Sequence, residues 1–297
     1  MRVGAVVLHY RHWPAAAPVV AALLDGERRP DLLVVVDNHS GDGSAAAIAS
    51  AFPDVDVVES SRNAGYAGGM NLGMRRVLDD GADAVLLLTH DCVLAPDALD
   101  LLEARLAEAP HVGVVGPLTA LSSRPDTVFA AGCHLDPASW ETSLGAVPAA
   151  VGDWAGRPPM PCEWLTGSCL LVRAAAVDDA GLMDERYFLY FEEVDYQLHL
   201  RRRGWGIECV PAALAWQEPG FIPLELWVRN RLRFLARHAP ARVVAREAGV
   251  QARSALRELR RGEFDRLGAR ARGVSRFLLR RWGPPRPAGR RGVVSRS

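Results

Sequence analysis

Three carboxylates stand directly behind a run of aromatics in the stretch FLYFEEVDYQLHLRRRG, residues 188–204. Glu192, Glu193 and Asp195 follow Tyr187, Phe188, Tyr190 and Phe191, and Arg201, Arg202 and Arg203 close the stretch. Acids at the start of a helix and arginines at its end complement the helix dipole. That explains the charges but not the aromatics. A helix beginning near Glu192 puts Glu192, Asp195 and His199 on one face, and Phe191, Val194 and Leu198 on a neighbouring apolar one. A carboxylate at an aromatic-lined rim is a candidate general base, with Tyr190 as part of the wall.

Four other clusters carry polar chemistry. In VVVDNHSGDGS, Asp37 ends an apolar run, where a carboxylate accepts a hydrogen bond from the imide N–H of a uracil or thymine; a turn and helix cap is the competing reading. In RNAGYAGGMNLG (62–73), Arg62, Asn63, Gly65, Gly68 and Asn71 lie in a Gly-rich stretch before a helix. Its backbone N–H groups suit a diphosphate, and close packing is the alternative. In LLLTHDC (86–92), Asp91 ends a strand and can hold a divalent cation, magnesium or manganese, when a ligand's phosphates supply other oxygens. Alternation places Thr89 with Asp91 on one side and His90 on the other. In EWLTGSCLLVR (163–173), Trp164 precedes the turn Thr166, Gly167, Ser168, which suits a sugar; Trp164 as a core residue is the alternative.

Apolar runs of strand length must position these residues. VGAVVLHY (3–10) reads as a strand buried on both faces and the start of DLLVVVDNHSGDGS (31–44) as a second buried strand, with VDVVES (55–60) and DAVLLLTHD (83–91) as the third and fourth strands. Residues 17–26, 44–52, the end of 63–80 and 96–108 read as helices, with Gly26 closing the first and Ser44 capping the second. Four strand–helix alternations with short connections define an α/β fold: a mostly parallel, Rossmann-like sheet with helices on both faces. Ligands of such sheets bind beyond the strands' carboxyl ends, where His9 and Tyr10, Asp37, Arg62 and Asn63, and Asp91 fall. Beyond residue 110, VGVVGPLTA and ECVPAALAW read as strands, 120–160 as loops over the site, and 222–238 as a helix. The expected organisation is a catalytic domain over 1–238, an Arg-rich helical extension over 239–282 and a disordered tail over 283–297.

Composition narrows the partners. The 297 residues have a formal net charge of zero, so nothing in the overall charge points to nucleic acid. All 35 basic residues are Arg. Five scattered Cys without a CxxC pair read as reduced thiols in a cytosolic protein. No apolar run approaches the ~20 residues of a membrane helix. The Arg-rich extension suits peripheral contact with an anionic membrane; a solvated extension or a homodimer contact are the other readings.

In this order and at these spacings, the motifs resemble the family-two glycosyltransferases with a GT-A fold, especially bacterial rhamnosyltransferase-like members, over roughly residues 3–235. The residues that carry it are VVVDNHSGDGS, RNAGYAGGMNLG, LLLTHDCVLAPDAL, WLTGSCLLVRAAAV, GLMDERYFLYFEEVDYQLHLRRRGW and VRNRLRF. The resemblance implies inverting transfer of a sugar from a UDP- or dTDP-sugar to a hydroxyl of a small-molecule, lipid-linked or polysaccharide acceptor. It implies that Asp37 contacts the base, that 62–73 lies along ribose and diphosphate, and that Asp91 takes a divalent metal. Thr166 to Ser168 would border the sugar and acceptor, and Glu193, with Glu192 next, would be the base. The chain departs from the family at Thr89, a weak ligand, and at LAWQEPG, where Trp216 or Gln217 replaces an expected His. A non-catalytic sugar-nucleotide-binding subunit is one alternative. A nucleotidyltransferase ranks lower, because LHYRHWPAAAP lacks the Gly-rich loop that class needs.

Overall fold

The computed structural model describes residues 1–11, 13–145 and 149–284. The chain runs β1 (Val3–His9), α1 (Ala17–Asp25), β2 (Leu32–Asp37), α2 (Ser44–Ala51), β3 (Asp56–Glu59), α3 (Gly65–Asp79), β4 (Ala84–Thr89) and a short β5 (Val93–Leu94). It continues through α4 (Ala98–Glu108), β6 (Val112–Leu121) and β7 (Arg124–Ala130). β3, β2, β1 and β4 lie side by side and parallel. The strand order reverses beside β1, which opens a crevice at the carboxyl ends. The register brings the polar ends level there: His9 pairs with Asp37, and Leu8 with Thr89.

Every residue of β1 is buried, because both of its faces are covered. Val3, Ala5 and Val7 pack with Val19, Val20 and Leu23 of α1 and Leu99, Leu102 and Leu106 of α4. Val6 and Leu8 point the other way, against Met70, Met74 and Val77 of α3. Each fully buried Val or Leu contributes about 1.5–3 kcal/mol, so two-sided burial outweighs any strand propensity here.

The second half is mixed. β8 (His134–Leu135) and β9 (Thr142–Ser143) form a small ribbon, followed by β10 (Met160–Pro161), β11 (Cys169–Arg173), α5 (Ala174–Ala180), α6 (Glu192–Arg202) and β12 (Gly206–Gln217). β11 inserts antiparallel between β4 and β6. β12 runs parallel to β6, with β5 and β10 antiparallel on it. The sheet is thus parallel through its first four strands and mixed beyond. The described residues of 120–160 are more structured than the Pro, Gly and Ala content predicts: β7 folds back on β6, and Trp154 is buried with Leu118, Val128 and Ala131.

Three helices follow: α7 (Leu224–His238), α8 (Ala241–Arg260) and α9 (Phe264–Leu278). α9 lies along α7, tied by Glu225 to Arg272 at 2.8 Å and to Arg276 at 3.3 Å. The expected tail, apart from Gly283 and Pro284, lies outside the described residues. Among the described residues no helix is long and apolar enough to cross a membrane.

Candidate active site

A cleft of about 680 Å³ opens at the carboxyl ends of β1 and β4. Tyr10 follows β1 into it; Asn63, Gly65 and Tyr66 enter at the start of α3; Thr89 ends β4, and His90 and Asp91 follow it. Trp164, Thr166, Gly167 and Ser168 line the wall before β11, and Tyr190, Glu192 and Glu193 the wall at α6. Residues far apart in sequence thus converge on one cavity. His90 lines it together with Thr89 and Asp91, contrary to the alternation argument, because β4 ends at Thr89 and the chain turns. The His90 ring sits edge-on to His9, which is buried behind it.

Glu192 and Glu193 begin α6, as the helical spacing predicts. Each leaves its Oε2 buried and without a hydrogen-bond partner among the described residues. Burial pushes the Glu193 carboxyl up to about 7, and burial together with the Glu193 charge holds Glu192 well above the ordinary carboxylate range. The two acids titrate as a pair, and burial together with their mutual repulsion disfavours charging both at once. Gly167 must lack a side chain here: a Cβ would sit 2.9 Å from the Tyr66 hydroxyl oxygen and 3.3 Å from Glu193 Cβ. That contact sets the Thr-Gly-Ser turn against the acid pair. Tyr66 donates its hydroxyl proton to the Gly167 carbonyl at 2.5 Å.

Asp195 does not line the cleft. Its carboxylate accepts from Tyr187 at 2.8 Å and from Arg237 at 2.8 Å, and lies 2.6 Å from His238 Nε2. These partners fix α6 to α7 and hold the carboxylate away from the cleft. Asp37 and Arg62 also stay outside the cavity wall. Asp37 Oδ1 accepts from the Ser40 amide at 2.8 Å and shapes the turn after β2.

The Gly-rich stretch is mostly helix. α3 begins at Gly65, so Gly68 and Asn71 lie inside it. A Cβ on Gly69 would stand 2.3 Å from Leu8, and one on Gly73 2.2 Å from Val6, so these glycines let α3 lie close on β1. Asn71 closes a pair of bonds with the Met183 backbone at 2.9 and 3.0 Å. The expected backbone cradle is also partly engaged: the amides of Ala64, Gly65 and Tyr66 donate to Asn38, Asn63 and the Phe188 carbonyl. Gly65 itself needs its left-handed φ of 73° and its bare Cα, since a Cβ would lie 2.1 Å from the Phe188 oxygen.

Gln217, at the end of β12, occupies the position facing Asp91. Its amide nitrogen donates to Asp91 Oδ1 at 3.1 Å and to Thr89 Oγ1 at 3.3 Å. Among the described residues no three His, Cys, Asp or Glu side chains gather to hold a metal by themselves. The Gln217 amide presents N–H groups here, so Asp91 with the Thr89 hydroxyl is the set that would hold a magnesium ion whose shell substrate phosphates complete.

Two residues essential to this geometry lie in stretches that carry the resemblance, but the sequence assigns neither of them a role. Gln197 spans both backbone groups of Leu165, accepting from its N–H at 2.9 Å and donating to its oxygen at 2.8 Å. Asn230 donates to the carbonyls of Tyr187, Leu189 and Tyr190 at 2.9, 2.9 and 2.7 Å. Both are buried amides, and only the folded chain shows which backbone groups they satisfy.

A curled α/β sheet with a polar cleft at its switch point, an acid at the end of β4 and a buried acid pair across the cavity define a GT-A glycosyltransferase. The chain matches the family described as "Glycosyltransferase like family 2" over residues 2–236 and belongs to it. It is 30% identical over 232 residues to the N-acetylglucosaminyl-diphospho-decaprenol L-rhamnosyltransferase of Mycobacterium tuberculosis strain H37Rv, covering 70% of this chain and 73% of the relative. It is 38% identical over 222 residues to the galactofuranosyltransferase GlfT1 of the same strain, covering 71% and 68%. The mannosyltransferase PcManGT of Pyrobaculum calidifontis, solved with GDP-Man and Mn2+, superposes with a TM-score of 0.59 at 15% identity over 94% of this chain and 88% of its own. The fold is shared, and the chain is a rhamnosyltransferase-like enzyme of sugar transfer.

Proposed function

We propose that the enzyme moves a sugar, a deoxysugar such as rhamnose, from a UDP- or dTDP-sugar to an acceptor hydroxyl with inversion. The observation that carries this reading is the buried Glu192–Glu193 pair opening into the cleft that Asp91 also lines. An acceptor hydroxyl entering the cavity donates its proton to Glu193, whose raised pKa suits a base at neutral pH. The acceptor oxygen forms its bond to the anomeric carbon as the bond to the diphosphate breaks. The bonding pair leaves with the diphosphate, and the proton stays on Glu193. Direct attack opposite the leaving group inverts the centre through an oxocarbenium-like transition state. Asp91 would hold a divalent cation, which supplies positive charge to the departing diphosphate. Trp164 and the Thr166–Ser168 turn border the sugar, and Tyr190 the acceptor. A lipid-linked acceptor is supported by the name of the mycobacterial rhamnosyltransferase.

Calorimetric titration of UDP and dTDP, with and without magnesium or manganese, tests the donor half. Binding that needs the metal supports Asp91 as its ligand, and no binding under any condition sinks the reading. Gln217→His replaces a neutral amide by an imidazole next to Asp91. The variant is expected to tighten manganese-dependent UDP binding by about tenfold, the scale on which a change around a metal moves its affinity. Unchanged manganese dependence would place the cation away from Gln217.

A further inference from the structure

Charge is unevenly divided along a chain whose net charge is zero. Residues 239–282 hold twelve Arg against four acids, whereas residues 1–238 hold nineteen Arg against thirty-one acids. Two of the four acids are turned inward: Glu258 pairs with Arg270 at 2.7 Å and Glu247 with Arg231 at 3.6 Å. The outward surface of α8 and α9 is therefore more basic than the composition suggests. It is also apolar. Eight of the ten exposed large apolar side chains among the described residues fall between 221 and 279. Phe264, Ala271 and Leu278 recur every seven residues on α9, so they lie on one stripe, and all three are exposed. Leu256 and Leu259 form the same kind of stripe on α8, next to Arg257 and Arg260.

One end of this surface adjoins the cleft. Leu278 and Leu279 are 69% and 59% exposed, and they lie just past Arg276, which bonds the first turn of α7. Phe221 and Ile222, 86% and 47% exposed, lead directly into that same turn, and Ile222 and Trp227 line the mouth of the cavity. We propose that the outer faces of α8 and α9, with the loop carrying Phe221, dock on an anionic lipid bilayer and hold the cleft mouth at its surface. Aliphatic and aromatic side chains interleaved with arginine gain from both the acyl boundary and the headgroup charge. A nucleic acid would engage the arginines and gain nothing from exposed leucines. The use of the cleft mouth rests on the proposed lipid-linked acceptor; the docking surface does not.

The test is flotation of the full chain with phosphatidylglycerol vesicles and with phosphatidylcholine vesicles, at low and high salt. The chain is expected to float with the anionic vesicles only and to be released by salt. Arg257→Gln with Arg260→Gln is expected to cut the vesicle-bound fraction more than about tenfold, since each arginine near such a surface contributes about fivefold. Leu278→Ser with Leu279→Ser should weaken it independently, with thermal melting confirming that each variant is folded. Absence of flotation, or flotation undiminished in both variants, overturns the proposal. So does tighter binding to double-stranded DNA, or a dimer in the ultracentrifuge that the leucine variant dissociates. A chain that floats but binds no UDP or dTDP counts against the transferase reading alone.

Discussion

Glu193→Gln is expected to lower kcat by about 10²–10⁴-fold, the range that a positioned general base supplies, while UDP binds as before. The amide keeps the shape of the side chain and cannot take the acceptor's proton. In the wild type, kcat/KM should fall about tenfold per pH unit below an apparent pKa near 7, since burial raises the Glu193 carboxyl to about 7 and only the carboxylate is a base. The same burial fixes a stability trend of opposite sense. Between the ordinary value of 4.5 and about 7 the folded protein holds protons that the unfolded chain has released. The stability this group contributes is therefore fully present below 4.5 and is lost as pH rises through about 7. The loss is on the order of 3 kcal/mol at alkaline pH. Glu193→Gln should thus melt at a higher temperature than the wild type at pH about 8, where the wild type carries the buried charge. Turnover within tenfold of wild type would remove Glu193 as the base. An unchanged melting temperature would show that the carboxylate is solvated.

The parts legible in sequence were those with a local physical signature. β1, β2 and β4 were visible because burial on both faces demands unbroken apolar runs, β3 is a half-exposed edge strand found from its short apolar pair, and the polar strand ends marked the rim of the cleft. The start of α6 was visible because the acids cluster where the helix dipole favours them. Gly69 and Gly73 illustrate the limit: a glycine that exposes backbone and one that admits a neighbouring strand read alike, and only Leu8 and Val6 across the gap separate them. Asp195 shares a helical face with Glu192, but its partners Arg237 and His238 lie more than forty residues on. Helical spacing gives the face and not the element packed against it. The placement of β11 between β4 and β6 is likewise a long-range pairing with no local cue.

Asn230→Asp is expected to cost about 2–4 kcal/mol of stability and to lower kcat by about 10²-fold. The substitution keeps the side chain's size and removes its two N–H groups. Three backbone carbonyls, of Tyr187, Leu189 and Tyr190, now accept from that amide. Arg229 still reaches the Tyr187 oxygen and would pair with the new carboxylate, so that carbonyl is partly spared. The other two would face a carboxylate, and an unsatisfied buried acceptor costs about 1–3 kcal/mol. The chain from Leu189 to Phe191 would shift, and it carries Tyr190 and leads into Glu192 and Glu193. A base displaced by about 1 Å loses about two orders of magnitude in rate. UDP affinity should fall less than kcat, because Asp91 just after β4 and Asn63 just before α3 make no bond to Asn230, and Gly65 meets the displaced segment only through Phe188. The expected signature is therefore a fall in kcat larger than the fall in donor affinity, together with a lower melting temperature. A lower melting temperature at unchanged kcat would make Asn230 a support for the fold and not for the base.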